Sequence, residues 1–174
     1  MIAYISGGAK NGKSTYAEEL AVSMSKEKSL PLYYIATMIP HDEEDNARIA
    51  RHIRERDGKG FETVECGLDI ENAYRGEGVY LLDSVTALLS NEMFREDGSV
   101  DRDAPGRISE ELKSFALKAK NVVFVSDYIY SDATNFDELT ELYRKGLARI
   151  DREVSKICHK VTEVTFGRKI EYKG

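Results

Sequence analysis

With 174 residues the chain has the length of one domain able to bury a proper core, and its 41% hydrophobic and 32% charged content is that of an ordinary globular protein. A formal net charge of −6 argues against a broad nucleic-acid surface or an anionic membrane as partner and leaves only local basic sites. No apolar stretch approaches membrane length, the opening Met1-Ile2-Ala3-Tyr4-Ile5-Ser6 has no basic leader, and Cys66 and Cys158 have neither metal nor redox spacing, so a cytoplasmic protein with buried thiols is expected.

In chain order, Ile2-Ala3-Tyr4-Ile5 is an apolar, β-prone run and residues 15–21 follow with helix periodicity, the helix breaking near Ser29-Leu30-Pro31. Residues 32–37 form a second strand. Pro40 and the acids Asp42, Glu43, Glu44 and Asp45 open a helix to about Glu55, with negative charge where the helix dipole favours it. Asp57-Gly58-Lys59-Gly60 ends it, 61–65 alternates as a short strand, and 68–74 has room for a helical turn or two. Val79-Tyr80-Leu81-Leu82 is a buried strand closed by Asp83, and helical spacing resumes through Val85, Leu88, Leu89 and Met93. A polar loop over 96–105, an amphipathic helix over 108–119 and a buried strand over 122–125 ending at Ser126-Asp127 come next. A long helix over about 137–158 and a strand, turn and edge strand over 161–172 complete the pattern. Strands alternating with helices predict one α/β domain over 1–174: a mainly parallel sheet covered on both faces.

The first strand and helix are joined by Gly7-Gly8-Ala9-Lys10-Asn11-Gly12-Lys13-Ser14, which satisfies G-x-x-x-x-G-K-[ST] in its proper strand–loop–helix setting. Glycines there let successive backbone N–H groups turn inward around a phosphate chain. Lys13 is expected to reach the β- and γ-phosphates, Ser14 to offer a hydroxyl to Mg²⁺, and the helix to direct the positive end of its dipole at the same anion. A nucleotide held this way needs Mg²⁺ and a carboxylate from a neighbouring strand. Asp83, at a strand's carboxyl end, is the candidate, against the alternative that it only caps the next helix; Asp127 is the fallback. Arg48, His52 and Arg56, spaced i, i+4, i+8, fall in one stripe beside Ile49 and Ile53, so the apolar pair can anchor the helix while the stripe faces a cleft. Taken alone, such a stripe also reads as a solvated charged face.

The phosphate loop, Tyr34-Ile35-Ala36-Thr37, the acidic run before Arg48-Ile49-Ala50-Arg51-His52, Thr63-Val64-Glu65, and Leu81-Leu82-Asp83-Ser84-Val85-Thr86 with Ser90-Asn91 occur in an order that resembles the bifunctional adenosylcobinamide kinase and adenosylcobinamide-phosphate guanylyltransferase family of cobalamin biosynthesis. The resemblance spans nearly the whole chain and is clearest from Met1 to Asn91. It implies a RecA-like P-loop NTPase fold with an antiparallel C-terminal edge, often in a homotrimer. It also implies an enzyme of EC class 2.7 that uses ATP or GTP to phosphorylate adenosylcobinamide and transfers GMP from GTP through a histidine. His52 matches that nucleophile, Arg48 accompanies it, and Glu65 falls among the nucleotide-binding positions with the loop and Asp83. Two other readings of the residues stay open: a P-loop kinase of another small molecule, or a GTP-binding regulatory relative. The last third departs from the family pattern, with Ser126-Asp127-Tyr128-Ile129-Tyr130 after the fifth strand and Asp151-Arg152 in the long helix where the family has Asn-Gln.

Overall fold

The computed structural model describes residues 1–40, 42–95, 97–130 and 134–174, and the side chains of all of these except Arg48 and Glu55. Seven strands form one sheet in the order β3-β2-β4-β5-β1-β6-β7. They are β1 (Ile2–Gly7), β2 (Leu32–Ala36), β3 (Glu62–Glu65), β4 (Val79–Asp83), β5 (Val122–Asp127), β6 (Lys160–Thr165) and β7 (Arg168–Lys173). All neighbours run parallel except β6 and β7, which form the antiparallel edge. The helices among the described residues are α1 (Lys13–Lys28), α2 (Glu43–Arg56), α3 (Val85–Met93), α4 (Ala104–Ala119) and α5 (Glu138–Ser155), with a 3-10 turn at Ile70–Ala73.

Side chains alternate across each strand, so the sheet separates two apolar layers. Tyr4, Ile35, Leu82 and Phe124 point to the side covered by α3, α4 and α5, where they meet Leu88, Leu112, Phe115 and Ile150. Ala3, Ile5, Tyr34, Leu81 and Val125 point to the other side, where Ala17, Ala21 and Met24 of α1 cover them. The central strands are buried on both faces, which explains their unbroken apolar runs. Cys66 and Cys158 are free and buried.

Two helix boundaries differ from the sequence expectation. Helix α4 begins at Ala104, inside the stretch expected to be loop, because Pro105 sits in its first turn, where proline's missing N–H has no helical partner to lose. Helix α5 stops at Ser155, and the next residues turn back with Ile157 N–H on Val154 O and Cys158 N–H on Ser155 O. That turn delivers His159 to β1, where its N–H donates to Ile2 O and its Nδ1 accepts from Ile2 N–H at 3.0 Å. Helix α2 is capped as expected: Asp42 accepts from Asp45 N–H at 2.8 Å, with Glu43, Glu44 and Asp45 in the first turn. Its anchoring is not as expected. Ile53 is 52% exposed, and none of the helix's described apolar side chains is buried.

Helices α4 and α5 meet where Gly146 lets Pro105 approach; a Cβ there would lie 2.7 Å from Pro105 Cγ. Gly146→Val is therefore expected to lower stability by about 1–3 kcal/mol through overpacking, read as a lower denaturant midpoint with an unchanged slope.

Candidate nucleotide site at the carboxyl edge of the sheet

The phosphate loop leaves β1 at Gly7, which is pressed against β6: a Cβ there would sit 2.4 Å from the Val164 carbonyl oxygen, so only glycine fits. Lys10 and Gly12 adopt left-handed backbone angles (φ 59° and 86°), a curvature that suits N–H groups converging on an anion. Gly8 and Asn11 are half-buried, Ala9 and Lys10 exposed, and α1 starts at Lys13 with Ser14 behind it. Lys13 is buried, and its ammonium lies 2.6 Å from Asp127 Oδ1 and 3.4 Å from the Gly8 carbonyl. Asp127 reaches it because β1 and β5 pair in register, with Gly7 beside Asp127. The Asp127 N–H is in turn held by Thr86 Oγ1 at 2.8 Å, and Tyr143 donates to the Thr86 carbonyl.

Asp83 ends β4 two strands away. Its carboxylate accepts from the Tyr34 hydroxyl at 3.2 Å. Burial pushes the carboxyl up, against the pull of Tyr34, of nearby His52 and Lys13, and of the Ser14 hydroxyl. The same burial, with Asp83 opposite, raises the Tyr34 phenol. Asp83 is not the cap of α3: Ser84 is, its hydroxyl accepting from Ala87 N–H at 3.2 Å. Thr37 fixes this corner, donating to Ser84 O at 2.8 Å and accepting from Ser84 N–H at 2.7 Å. The segments Tyr34–Thr37 and Asp83–Thr86 thus work as one unit that aims Asp83 at the loop.

His52 comes to the same place. It lines a cavity of about 440 Å³ together with Asp83, Glu65, Tyr34 and Arg56. Lys13, Ser14, Asp83, His52 and Glu65 are thereby gathered at one sheet edge. The side chain of Arg48 lies outside the described residues; its backbone is in α2 one turn before His52. Arg56 is a correction to the solvated stripe: it is buried, and its guanidinium lies over the Tyr34 ring, with Cζ 3.4 Å from the centroid. Such a contact contributes about 0.5–2 kcal/mol and, with Lys59 bound to buried Glu18 of α1 at 2.5 Å, pins the end of α2. The sequence reading missed Tyr34 and Arg56 as a pair, because a stacking contact between residues 22 apart leaves no periodic signal.

On the opposite side of β1, Asp151 of α5 is buried and accepts hydrogen bonds from Tyr4, Tyr130 and Ser126, the last at 2.9 Å. Burial raises its carboxyl to about 6. The departures in the last third, Asp127, Tyr130 and Asp151, therefore belong to two linked clusters flanking β1.

A phosphate loop with its lysine and hydroxyl, a carboxylate at the end of a nearby parallel strand and this strand order define a P-loop nucleotide-binding protein of RecA-like fold. Solved structures agree: the ATPase domain of G40P superposes with a TM-score of 0.50 at 12% identity over 93% of this chain and 68% of that one. A Pyrococcus horikoshii OT3 protein gives 0.52 at 8% identity over 99% and 86%. The chain belongs to the cobinamide kinase / cobinamide phosphate guanyltransferase family, whose profile matches residues 3–172. It is 29% identical to the bifunctional adenosylcobalamin biosynthesis protein CobP of Pseudomonas aeruginosa, over 98% of this chain and 96% of the relative. The bifunctional adenosylcobalamin biosynthesis protein CobU of Escherichia coli is 26% identical over 99% and 100%. No described helix is long and apolar enough to cross a membrane.

The Asp151 cluster makes stability depend on pH. Its folded-state carboxyl is raised above the ordinary range near 4, so its contribution is full below about pH 4 and is lost as pH rises through about 6. Asp151→Asn, which cannot ionise, is expected to gain about 2 kcal/mol relative to the wild type between pH 4 and pH 7, measured by urea unfolding at both values.

Proposed function

We propose that this chain, as a single nucleotide-binding domain, is a bifunctional enzyme of EC class 2.7. It phosphorylates adenosylcobinamide with ATP or GTP, then transfers GMP from GTP to adenosylcobinamide phosphate through a guanylylated His52, giving adenosylcobinamide-GDP. The observation that carries this reading is the cavity shared by His52, Asp83 and Glu65, beside Lys13 and Ser14. Family membership and the bifunctional relatives support the substrate class.

In the first step the aminopropanol oxygen of the corrinoid bonds to the γ-phosphorus, the β–γ bridging bond breaks, and the hydroxyl proton is released. In the second, an imidazole nitrogen of His52 forms a bond to the α-phosphorus as the α–β bridging bond breaks and pyrophosphate leaves. A phosphate oxygen of the corrinoid then attacks the same phosphorus, and the P–N electron pair returns to the imidazole. Lys13 exchanges Asp127 for phosphate oxygens when the nucleotide arrives, so its charge is already oriented towards the loop. Arg48 neutralises charge developing on the α-phosphate, and Glu65 holds the nucleotide beside it. Ser14 and Asp83 supply hard oxygen donors in contact with one another, a set that suits Mg²⁺, which takes one or two protein oxygens and fills its remaining positions with phosphate and water. Bound there, Mg²⁺ would neutralise the triphosphate. The buried free thiols fit a cytoplasmic location, and the assembly is proposed to be a homotrimer working on a corrinoid without nucleic acid or inserted membrane contact.

Intact-protein mass after incubation with GTP and Mg²⁺, with no corrinoid present, is expected to show one added GMP, acid-labile and absent from His52→Ala. Wild type that binds GTP and gains no adduct would exclude the histidine intermediate and leave a kinase or a GTP-binding regulator. Lys13→Ala is expected to lower both phosphoryl and nucleotidyl transfer by about 10²–10³-fold, measured in steady-state turnover; unchanged rates would refute the placement of the triphosphate on the loop.

A further inference from the structure

A second, larger cavity of about 1000 Å³ adjoins the His52 cavity. Ile39 lines both, and the consecutive residues Gly67 and Leu68 face one and the other. The divider is rigid: Asn91 Nδ2 donates to Thr37 O at 2.7 Å and to Gly67 O at 2.9 Å, which leaves the Asn91 Oδ1 acceptor uncommitted by these bonds. Among the described residues the wall carries four carboxylates, Asp69, Glu92, Asp97 and Glu111, against two guanidiniums, Arg95 and Arg107.

Both guanidiniums are already committed. Arg107 is bound to Glu92 at 2.9 Å and to Asp101 at 3.0 Å, and Arg95 is bound to the same Asp101 oxygen. Glu92 is buried and takes both Arg107 and the Asp69 N–H, at 2.8 Å. Glu111 reaches Arg107 only through Oε1, at 3.5 Å, and its Oε2 is buried with no hydrogen-bond partner. A buried carboxylate oxygen without a donor is costly, so added donors at this carboxylate are favourable. The cavity is thus acceptor-rich and net negative, which disfavours a triphosphate and favours a neutral or cationic ligand rich in N–H donors.

We propose that this cavity is the acceptor site, seating the amide-bearing periphery of a cationic cobalt corrinoid and passing its aminopropanol arm by Ile39 to the His52 cavity. The chemistry fits: cobinamide carries primary amides around a cobalt(III) corrin, and those amides meet the acceptors of the wall, the Glu111 carboxylate and Asn91 Oδ1 among them. The assignment rests on the corrinoid reading above and adds where the acceptor sits.

Adenosylcobinamide binding to the full-length protein, followed by its absorbance, tests it in Glu111→Lys, which reverses charge at the donorless oxygen, and in Leu68→Arg, at a residue 47% exposed on the cavity wall. Each is expected to raise the corrinoid Kd by about tenfold or more, with GMP-adduct formation from GTP alone within about twofold of wild type. A corrinoid Kd within about twofold of wild type in folded Leu68→Arg, or in both variants, would overturn the assignment. Leu68→Arg carries the test by itself if Glu111→Lys does not fold. Wild type that binds corrinoid but forms no GMP adduct, with binding lost in the variants, supports the cavity and defeats the histidine intermediate. Wild type that binds no corrinoid overturns the cavity.

Discussion

The parallel pairing of β1 between β5 and β6 sets the position of every group around the phosphate loop. On one side Gly7 lies beside Asp127; on the other it touches the Val164 carbonyl so closely that no side chain fits. The loop therefore leaves the sheet at a fixed height, and Lys13 meets Asp127 without further adjustment. A slip of one residue would turn the side chains of β1 to the opposite faces and separate that pair.

Around this fixed point the site is assembled from parts of different stiffness. Asp83 is held by Tyr34 and by the Thr37–Ser84 clasp, all rooted in buried strands. His52 is carried by a helix whose described apolar side chains stay unburied and whose end is fastened by the Arg56 stack and the Lys59–Glu18 ion pair. A firmly held loop thus faces a histidine on a lightly attached arm, an arrangement that suits the two successive transfers proposed above.

Much of the fold was legible because its signals are local. Unbroken apolar runs marked the inner strands, the Asp42 cap with its acidic turn marked α2, and the glycine spacing marked the loop. Asp83 was legible as a strand-end carboxylate; that Ser84 takes the capping role beside it was not, since both residue types cap helices. The start of α4 was hidden by Pro105, a residue that breaks helices inside but suits their first turn. The Arg56–Tyr34 stack, the Lys13–Asp127 pair and the Asp151 cluster depend on contacts between distant elements, which no periodicity in the chain records.

The outer strand β7 closes the sheet on one side, with all its residues exposed. Arg168, Lys169, Glu171 and Lys173 line this free edge, three cations to one anion. A second chain adding there as a continuing strand would have to strip water from these charges and set cations opposite cations in an antiparallel match. These charges disfavour extension of the sheet at β7.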